Sequence, residues 1–226
     1  LDRTFNTPAA RAIKLLRVFR EEYTDIRFHL EIHPAAITEA FQAELDNARP
    51  GQLHLEIGLQ SGAPHVLKAL DRCSDSDRTW AAVEHLCQAE NLRTHVDLLA
   101  GLPGQTIVDV FADIERLAEL GPNEIQLETL KLLPGTPLQD QADEKGLIFS
   151  PVPPYDVLAT PTMPREELAE MRLLSRFVDQ FYNQPQLHRA VRTVVAQLPS
   201  FLHAELPSYA SCELATTQAS LRNRFR

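Results

Sequence analysis

The chain has 226 residues, of which 44% are hydrophobic and 23% charged, and its formal net charge is −9 at pH 7. This composition is typical of a folded chain, and the length allows one good-sized domain with an appendage. The negative charge, without any Lys/Arg cluster, argues against nucleic acid as a partner. The sequence contains no run of about 18 apolar residues and no signal-peptide pattern, so we expect no membrane association.

The cysteines are too few and too scattered for a disulfide framework, and no CxxC or CxxxCxxC spacing occurs. They are Cys73, Cys87 and Cys212. A reducing cytoplasm is therefore the expected compartment. The first residue is Leu1 and not Met, from which we expect that the chain was cut from a longer protein or processed.

Strand-like and helix-like patterns alternate over the first 150 residues or so. The predicted strands cover Leu1–Asn6 (the tail of a strand), Arg27–Ile32, Gln52–Gln60, Arg93–Ala100 and Glu124–Leu132. The predicted helices cover Thr7–Tyr23, Pro34–Ala48, Pro64–Leu70, Asp75–Ala89, Thr106–Leu120 and Leu138–Lys145. Alternation at this spacing predicts parallel βαβ units with right-handed crossovers, and hence an α/β fold that is either a doubly wound sheet or a barrel.

The pattern changes after Gly146, where prolines lie close together as in an extended linker. We place a domain boundary near Ser150, with one domain over 1–150 and a helical domain over 151–226. Amphipathic helices are predicted over Arg165–Phe181 and Leu187–Leu198, and we expect them to pack separately from the first domain.

Alternate residues of the predicted strands are polar, so one face of the sheet should be polar as well. The polar positions are His29, Glu31, His54, Glu56, Gly58, Gln60, His95, Asp97, Gln126 and Glu128. A closed (β/α)8 barrel ordinarily fills its interior with bulky branched residues, so a polar interior indicates a bound ligand. Parallel strands bind ligands at their carboxyl ends, which here carry Glu31, Gln60, Asp97 and the Leu132–Thr136 turn.

Several motifs, in their order and spacing, resemble the radical S-adenosylmethionine (SAM) enzymes. They are EIGLQSG, Leu70-Asp71-Arg72, DLLAGLPGQT and KLLPGTPL, joined by DRTFN, PYDVL and FYN. The resemblance covers Leu1 to about Asn183. It points to the branch of oxygen-independent coproporphyrinogen oxidase and the methylthiotransferases, and within it to a cobalamin-binding type with an uncharacterised C-terminal helical domain. The implied fold is a partial (β/α) TIM-like barrel with a C-terminal α-helical extension.

The resemblance implies that the strand ends hold SAM. Glu31 would close the third barrel strand of the family, and Gln60 would hydrogen-bond the SAM ribose. Arg72 would pair with the methionyl carboxylate, which suits the bidentate geometry of a guanidinium. Asp97 would accept hydrogen bonds from ribose hydroxyls, and Leu99 would press on the adenine.

Three further residues complete the implied cofactor-binding set. Arg3 and Thr4 lie where the family handles the methionyl amino group, and Leu132 opens the last of the strand-end turns. The family usually has Glu-Thr at the end of the GLPGQT turn, where this chain has Gln105. That replacement is expected to weaken a charge interaction at the following helix N-terminus.

The family's CxxxCxxC loop, which ligates a [4Fe-4S] cluster, is absent from this sequence. We therefore expect a C-terminal part of an enzyme, inactive alone, with no catalytic residue and no metal ligand of its own. The whole enzyme would cleave SAM reductively and start radical chemistry on an unknown small-molecule or other substrate, in a tetrapyrrole cyclase-like or methyltransferase-like reaction. Its expected cofactors are SAM, the cluster and, in the full-length protein, cobalamin.

Two alternatives stay open. The inward histidines and carboxylates could serve a metal-dependent (β/α)-barrel hydrolase with zinc or manganese, although neither an HxH pair nor HExxH occurs. A chain without a cluster could also be a non-catalytic scaffold or interaction module. The strand stub Leu1–Asn6 would lack a neighbour on one side, so we expect a marginal edge there or a dimer formed through it.

Overall fold

Four parallel strands form the central sheet of the computed structural model, which describes residues 4–70, 76–198 and 200–211. The strands are β1 (Phe28–Ile32), β2 (Leu53–Gln60), β3 (Leu92–Ala100) and β4 (Glu124–Thr129). Strands that follow each other in sequence are neighbours in the sheet, in the order β1-β2-β3-β4. The predicted α/β class with parallel strands is thereby confirmed.

Helices connect the strands as the alternating pattern predicted. They are α1 (Ala9–Glu22), α2 (Glu39–Asp46), α3 (Pro64–Ala69), α4 (Ser76–Gln88) and α5 (Ile107–Leu120). Helix α5 shows how local chemistry sets the ends: Thr106 and Asp109 form a reciprocal capping box, and Gly121 ends the helix at φ 79°. None of the helices in the described ranges is long and apolar enough to cross a membrane.

Some predicted boundaries were wrong. The helix expected over Pro34–Ala48 is a short 3-10 turn, Pro34–Ala36, followed by α2, because Thr38 accepts a hydrogen bond from Phe41 N–H and caps a new helix. The helix expected after Leu138 is only a single turn, α6 (Pro137–Asp140). The proline-rich stretch contains a small antiparallel pair, β5 (Ile148–Phe149) and β6 (Val157–Ala159).

The C-terminal helices share one core with the sheet, which corrects the expectation that they pack separately. Helix α7 (Arg165–Phe177) continues as a π-helical turn over Val178–Tyr182, and α8 (His188–Gln197) and a helical segment over 201–211 follow. Leu168, Met171 and Leu174 of α7 are 0–1% exposed and belong to the same buried cluster as the strands. Their apolar stripe is buried against β4, the strand beside which α7 lies.

Two buried or half-buried asparagines use their side-chain amides to pair with backbone at the two edges of the sheet. Asn183 accepts from Ile125 N–H at 3.0 Å and donates to Ile125 O at 2.9 Å, on β4. Asn6 accepts from His33 N–H at 3.0 Å and donates to His33 O at 2.9 Å, just after β1. Phe5 N–H also donates to Glu31 O. The expected marginal edge at the stub is thus tied down within the chain at residues 5 and 6, while dimerisation stays a prediction.

Replacing Asn183 by alanine is expected to lower the free energy of unfolding by about 1 to 3 kcal/mol, because a donor and an acceptor of the edge strand lose their partners. Chemical denaturation measures the change. Asn47→Ala is the matched control, since Asn47 is exposed and bonds only its own helix. A loss at Asn183 no larger than the loss at Asn47 would show that water replaces the amide without cost.

Candidate functional site

The sheet has one buried apolar face and one polar face, as the alternating pattern predicted. Along β2 and β3, buried residues alternate with half-buried or exposed ones in strict order up to Gln60 and Ala100. The register aligns polar side chains across the strands. One row contains Glu31, Glu56, His95 and Glu124, and the next contains Gly58, Asp97 and Gln126. We call this surface the polar face.

Asp97 is the most perturbed acid on the polar face. Burial, followed by the nearby carboxylates of Glu56, Glu31 and Glu128, raises the pKa of Asp97 from 3.8 to about 7. Its Oδ1 is buried and accepts no hydrogen bond. His95 Nε2 lies 3.2 Å away, at ion-pair distance but outside hydrogen-bond alignment. Asp97 therefore offers an acceptor to a donor that would come from a ligand.

Gln60 ends β2 in an unusual conformation, with φ 68° and a shift of register against β3. A Cβ on Gly58 would come within 3.1 Å of Gln60 Nε2, so the Gln60 amide folds back over Gly58 on the polar face. Gly58 is the register partner of Asp97. The left-handed backbone of Gln60 thus places its side-chain amide beside the strand position of Asp97.

Of the other expected site residues, three lie near the same edge. Leu99 is half-buried on the polar face, two positions after Asp97. Glu31 is on that face near the end of β1, and Thr4 precedes Phe5, whose N–H is bonded to Glu31 O. Leu132 is 0% exposed and belongs to the core, so the polar face does not include its side chain. Arg3 and Arg72 lie outside the described residues.

Gln105 has a structural role that the sequence did not reveal. Its Oε1 accepts from the N–H groups of Gly101 and Leu102, and its Nε2 donates to Leu99 O. The side chain is 1% exposed. An amide both donates and accepts hydrogen bonds, whereas the glutamate expected at this position from the resemblance would only accept. The single side chain of Gln105 therefore bonds both donors and an acceptor of the turn after β3.

A second unforeseen residue, Asp113 on α5, fixes the turn after β2. Asp113 Oδ2 accepts from Ser61 Oγ at 3.0 Å and from Gly62 N–H at 2.8 Å. Burial raises the pKa of Asp113 to about 6, although both hydrogen bonds oppose that shift. This buried acid stands 51 residues from Gly62 in sequence, and it anchors the segment that follows Gln60.

Toward the amino-terminal ends of the strands, the polar face carries a histidine cluster. His29 Nδ1 is 3.3 Å from His54 Nδ1, and His29 Nε2 is 2.5 Å from Glu56 Oε2. The rings of His54 and His95 are stacked with centroids 6.1 Å apart. Burial lowers the pKa of His54, so its imidazole is neutral at pH 7.

A cavity of about 300 Å³ lies beyond the carboxyl end of the last strand. It is bounded by β4, by the segment at Pro154 and Asp156, and by α7. Its polar lining includes the Glu128–Lys131 ion pair at 3.2 Å and Arg172. The cavity thus lies between the carboxyl end of β4 and the C-terminal helix α7.

Comparison with known proteins relates both parts of the chain to others. Residues 143–224 match the model of a family described as "Protein of unknown function (DUF4080)". The heme chaperone HemW of Mycobacterium tuberculosis is 28% identical over 166 residues, which are 72% of this chain and 40% of the relative. An oxygen-independent coproporphyrinogen III oxidase of Cereibacter sphaeroides is 30% identical over 162 residues, which are 72% of this chain and 32% of the relative.

The fold also matches a solved structure, the radical S-adenosylmethionine methyltransferase TsrM of Kitasatospora setae with cobalamin and a [4Fe-4S] cluster bound. The TM-score is 0.55 at 22% identity, and the match covers 69% of this chain and 33% of TsrM. The chain spans about 40% or less of the length of these relatives. Its strand-end motifs and its parallel sheet agree with these similarities: the chain is similar in sequence to a coproporphyrinogen III oxidase and a heme chaperone, and its sheet has the fold of a radical SAM methyltransferase.

Proposed function

We propose that the polar face at the carboxyl ends of β2 and β3 is part of the SAM-binding interior of a radical SAM enzyme. The observation that carries this proposal is the pairing of Gln60 and Asp97. The Gln60 amide folds over Gly58, directly across from Asp97, and Asp97 Oδ1 is a buried acceptor without a donor. Two ribose hydroxyls of SAM would supply the missing donors.

The described residues also provide the apolar contact that a nucleoside requires. Leu99 is half-buried beside Asp97 and would contact the adenine, while Thr4 and Glu31 lie at the neighbouring edge of β1. When bound, SAM supplies the group that is cleaved to start radical chemistry. The chain's own side chains would bind and orient the ribose and adenine, and the buried setting of Asp97 would exclude water from that contact.

The chain does not fit a [4Fe-4S] cluster. Cys87 is the cysteine within the described ranges, and burial raises the pKa of its thiol to about 12, so it stays protonated and is not a thiolate ligand. Cys73 and Cys212 are outside those ranges and lack the CxxxCxxC spacing. In this proposal the cluster ligands come from chain beyond these 226 residues, and we derive no step through the cluster.

The reaction of the whole protein is proposed in its broad class only: reductive cleavage of SAM, followed by a radical reaction on a small-molecule substrate. The relatives divide between a coproporphyrinogen oxidase and a cobalamin-containing methyltransferase. Both oxidation and methyl transfer therefore stay within the proposal, as does cobalamin as a further cofactor. The cavity at the end of β4 is the proposed position for part of the substrate, since it lies at the carboxyl end of the sheet, where parallel strands bind ligands. The cytoplasmic location stays a prediction.

Replacing Asp97 by alanine is expected to weaken SAM binding by about 1 to 3 kcal/mol, roughly 5- to 150-fold, because a charge-assisted hydrogen bond is lost. Isothermal titration of SAM into full-length protein, purified anaerobically, measures the change. Gln60→Ala should act in the same direction. Asp143→Ala, which alters an exposed acid after α6, is the matched control.

The iron content should not change in these variants, since the proposed ribose contacts do not hold the cluster. If SAM affinity is unaltered in both Asp97→Ala and Gln60→Ala while circular dichroism shows a native fold, the polar face is not the SAM site. If iron is lost and SAM affinity is kept, the side chains support the cluster instead.

A further inference from the structure

Three side chains on three adjacent strands present ligand atoms to one another near the amino-terminal half of the polar face. They are His54 on β2, His95 on β3 and Glu124 on β4, and one ligand atom from each lies within 4.8 Å of the others. His95 and Glu124 are register partners. Hydrogen-bonded strands fix these positions more firmly than loops would.

Hydrogen bonding assigns the free nitrogen of His54. Glu56 Oε2 can only accept, so His29 Nε2, at 2.5 Å, carries a proton and donates it. The Nδ1 of a neutral His29 is then an acceptor, and it lies 3.3 Å from His54 Nδ1, which must donate. His54 Nε2 is therefore unprotonated, and it is a buried atom without a hydrogen-bond partner. Its lone pair has no donor among the described residues.

The ring of His95 lies between two carboxylates. Its Nε2 is 3.2 Å from Asp97 Oδ1, without hydrogen-bond alignment. Its Nδ1 faces Glu124 Oε2 at 3.9 Å. This nitrogen and this oxygen are close to the separation of about 3.4 Å that two ligands have around a tetrahedral zinc ion with bonds of about 2.0–2.1 Å. Arg93 bonds the other oxygen of Glu124, Oε1, and leaves Oε2 available.

We propose that His54 Nε2, His95 Nδ1 and Glu124 Oε2 form a binding site for a divalent transition metal ion of the zinc type. Two imidazole nitrogens and a carboxylate favour zinc, cobalt or nickel over magnesium or calcium, which prefer oxygen. Glu56 acts behind His54 through His29, as carboxylates do behind metal-bound histidines. This proposal departs from the expectation that the chain has no metal ligand of its own, and its three ligand residues are not those of the proposed SAM site.

The ion would link β2, β3 and β4 across the polar face. Zinc titrated into metal-free protein and followed by calorimetry gives the affinity. Cobalt(II) is the spectroscopic probe, and its difference spectrum against the metal-free protein reports four-coordinate geometry with nitrogen ligands. We expect one ion per chain with tetrahedral cobalt absorption.

His54→Gln and Glu124→Gln should each weaken zinc binding at least tenfold and abolish the tetrahedral cobalt spectrum. Glu56→Gln removes no ligand, and its expected effect is a 10- to 100-fold weaker affinity, as for other second-layer partners of metal ligands. His85→Ala is the control, since His85 is on α4 and pairs with Asp46 away from the polar face. Its zinc affinity should equal that of the parent protein.

Circular dichroism on each variant separates loss of the site from loss of the fold, and the Glu124→Gln change is isosteric. The proposal is overturned if the parent protein binds no zinc in the millimolar range. It is equally overturned if zinc affinity and the cobalt spectrum persist in both His54→Gln and Glu124→Gln, or if His85→Ala abolishes them while Glu124→Gln does not.

Discussion

Replacing Gly62 by alanine is expected to destabilise the protein by about 3 to 5 kcal/mol. Among the described glycines whose φ is not positive, Gly62 has the least space for an added methyl group. An added Cβ would lie 2.1 Å from Trp80 Cζ2 and 2.5 Å from Asp113 Oδ1. Trp80 is 3% exposed, and Arg116 lies over its ring at 4.0 Å, so the ring cannot move aside without further disruption. The turn after Gln60 would move with Gly62.

Equilibrium denaturation in urea measures this loss. Gly104→Ala is the control, because Gly104 has φ +76° and nothing lies within 4 Å of its added Cβ. That control isolates the cost of a left-handed residue, about 1 to 2 kcal/mol. Gly62→Ala should exceed it clearly. Equal losses at the two positions would show that the space beside Trp80 opens easily and that the turn is not rigidly held.

Asp113 is expected to make the protein less stable as the pH rises from about 4 to about 6. The pKa of Asp113 is about 6 in the folded protein, against an ordinary 3.8. The folded state therefore holds this proton more tightly than the unfolded chain, so the contribution of Asp113 is fully present below about pH 4 and is lost as the pH passes 6. A shift of about 2 pKa units corresponds to about 3 kcal/mol.

The Asp113→Asn variant isolates this contribution, since an asparagine oxygen still accepts from Gly62 N–H and does not titrate. We expect the unfolding free energy of the parent protein, minus that of the variant, to fall by about 3 kcal/mol between pH 4 and pH 7. Asp143→Asn, an exposed acid, should leave this difference almost flat. A flat difference for Asp113→Asn would show that the two hydrogen bonds offset the burial completely.

The sequence by itself determined the strands and the polar face, and it supplied the motifs that resemble the radical SAM enzymes. Alternating polarity identified β1 to β4 because side chains of a strand point to opposite faces with a period of two. The pattern therefore already separated polar from apolar positions, and the register of the sheet then aligned the polar positions of neighbouring strands. Gln60 and Asp97 were expected to lie near each other because a parallel sheet brings strand ends together whatever the loops between them do. The family motifs gave Leu99 its place on the same face.

Only the tertiary structure decided the contacts between segments far apart in sequence. Asp113 lies within a helical pattern, and nothing local indicates that it caps the turn at Gly62. Asn183 lies between two predicted helices and pairs with Ile125 across 58 residues. The π-helical turn and α7 belong to the core of the sheet and not to a separate unit. A periodic pattern shows which face is apolar, but not which partner covers it.

The histidine cluster shows the same limit at one site. The sequence placed His54 and His95 on the polar face, but the contacts of His54 with His29 and of His95 with Asp97 arise only in the folded sheet. Strand pairing is non-local, and the side-chain contacts across strands depend on register, twist and rotamer together. Local composition therefore determined which residues face the interior, and the assembled sheet decided which atoms meet there.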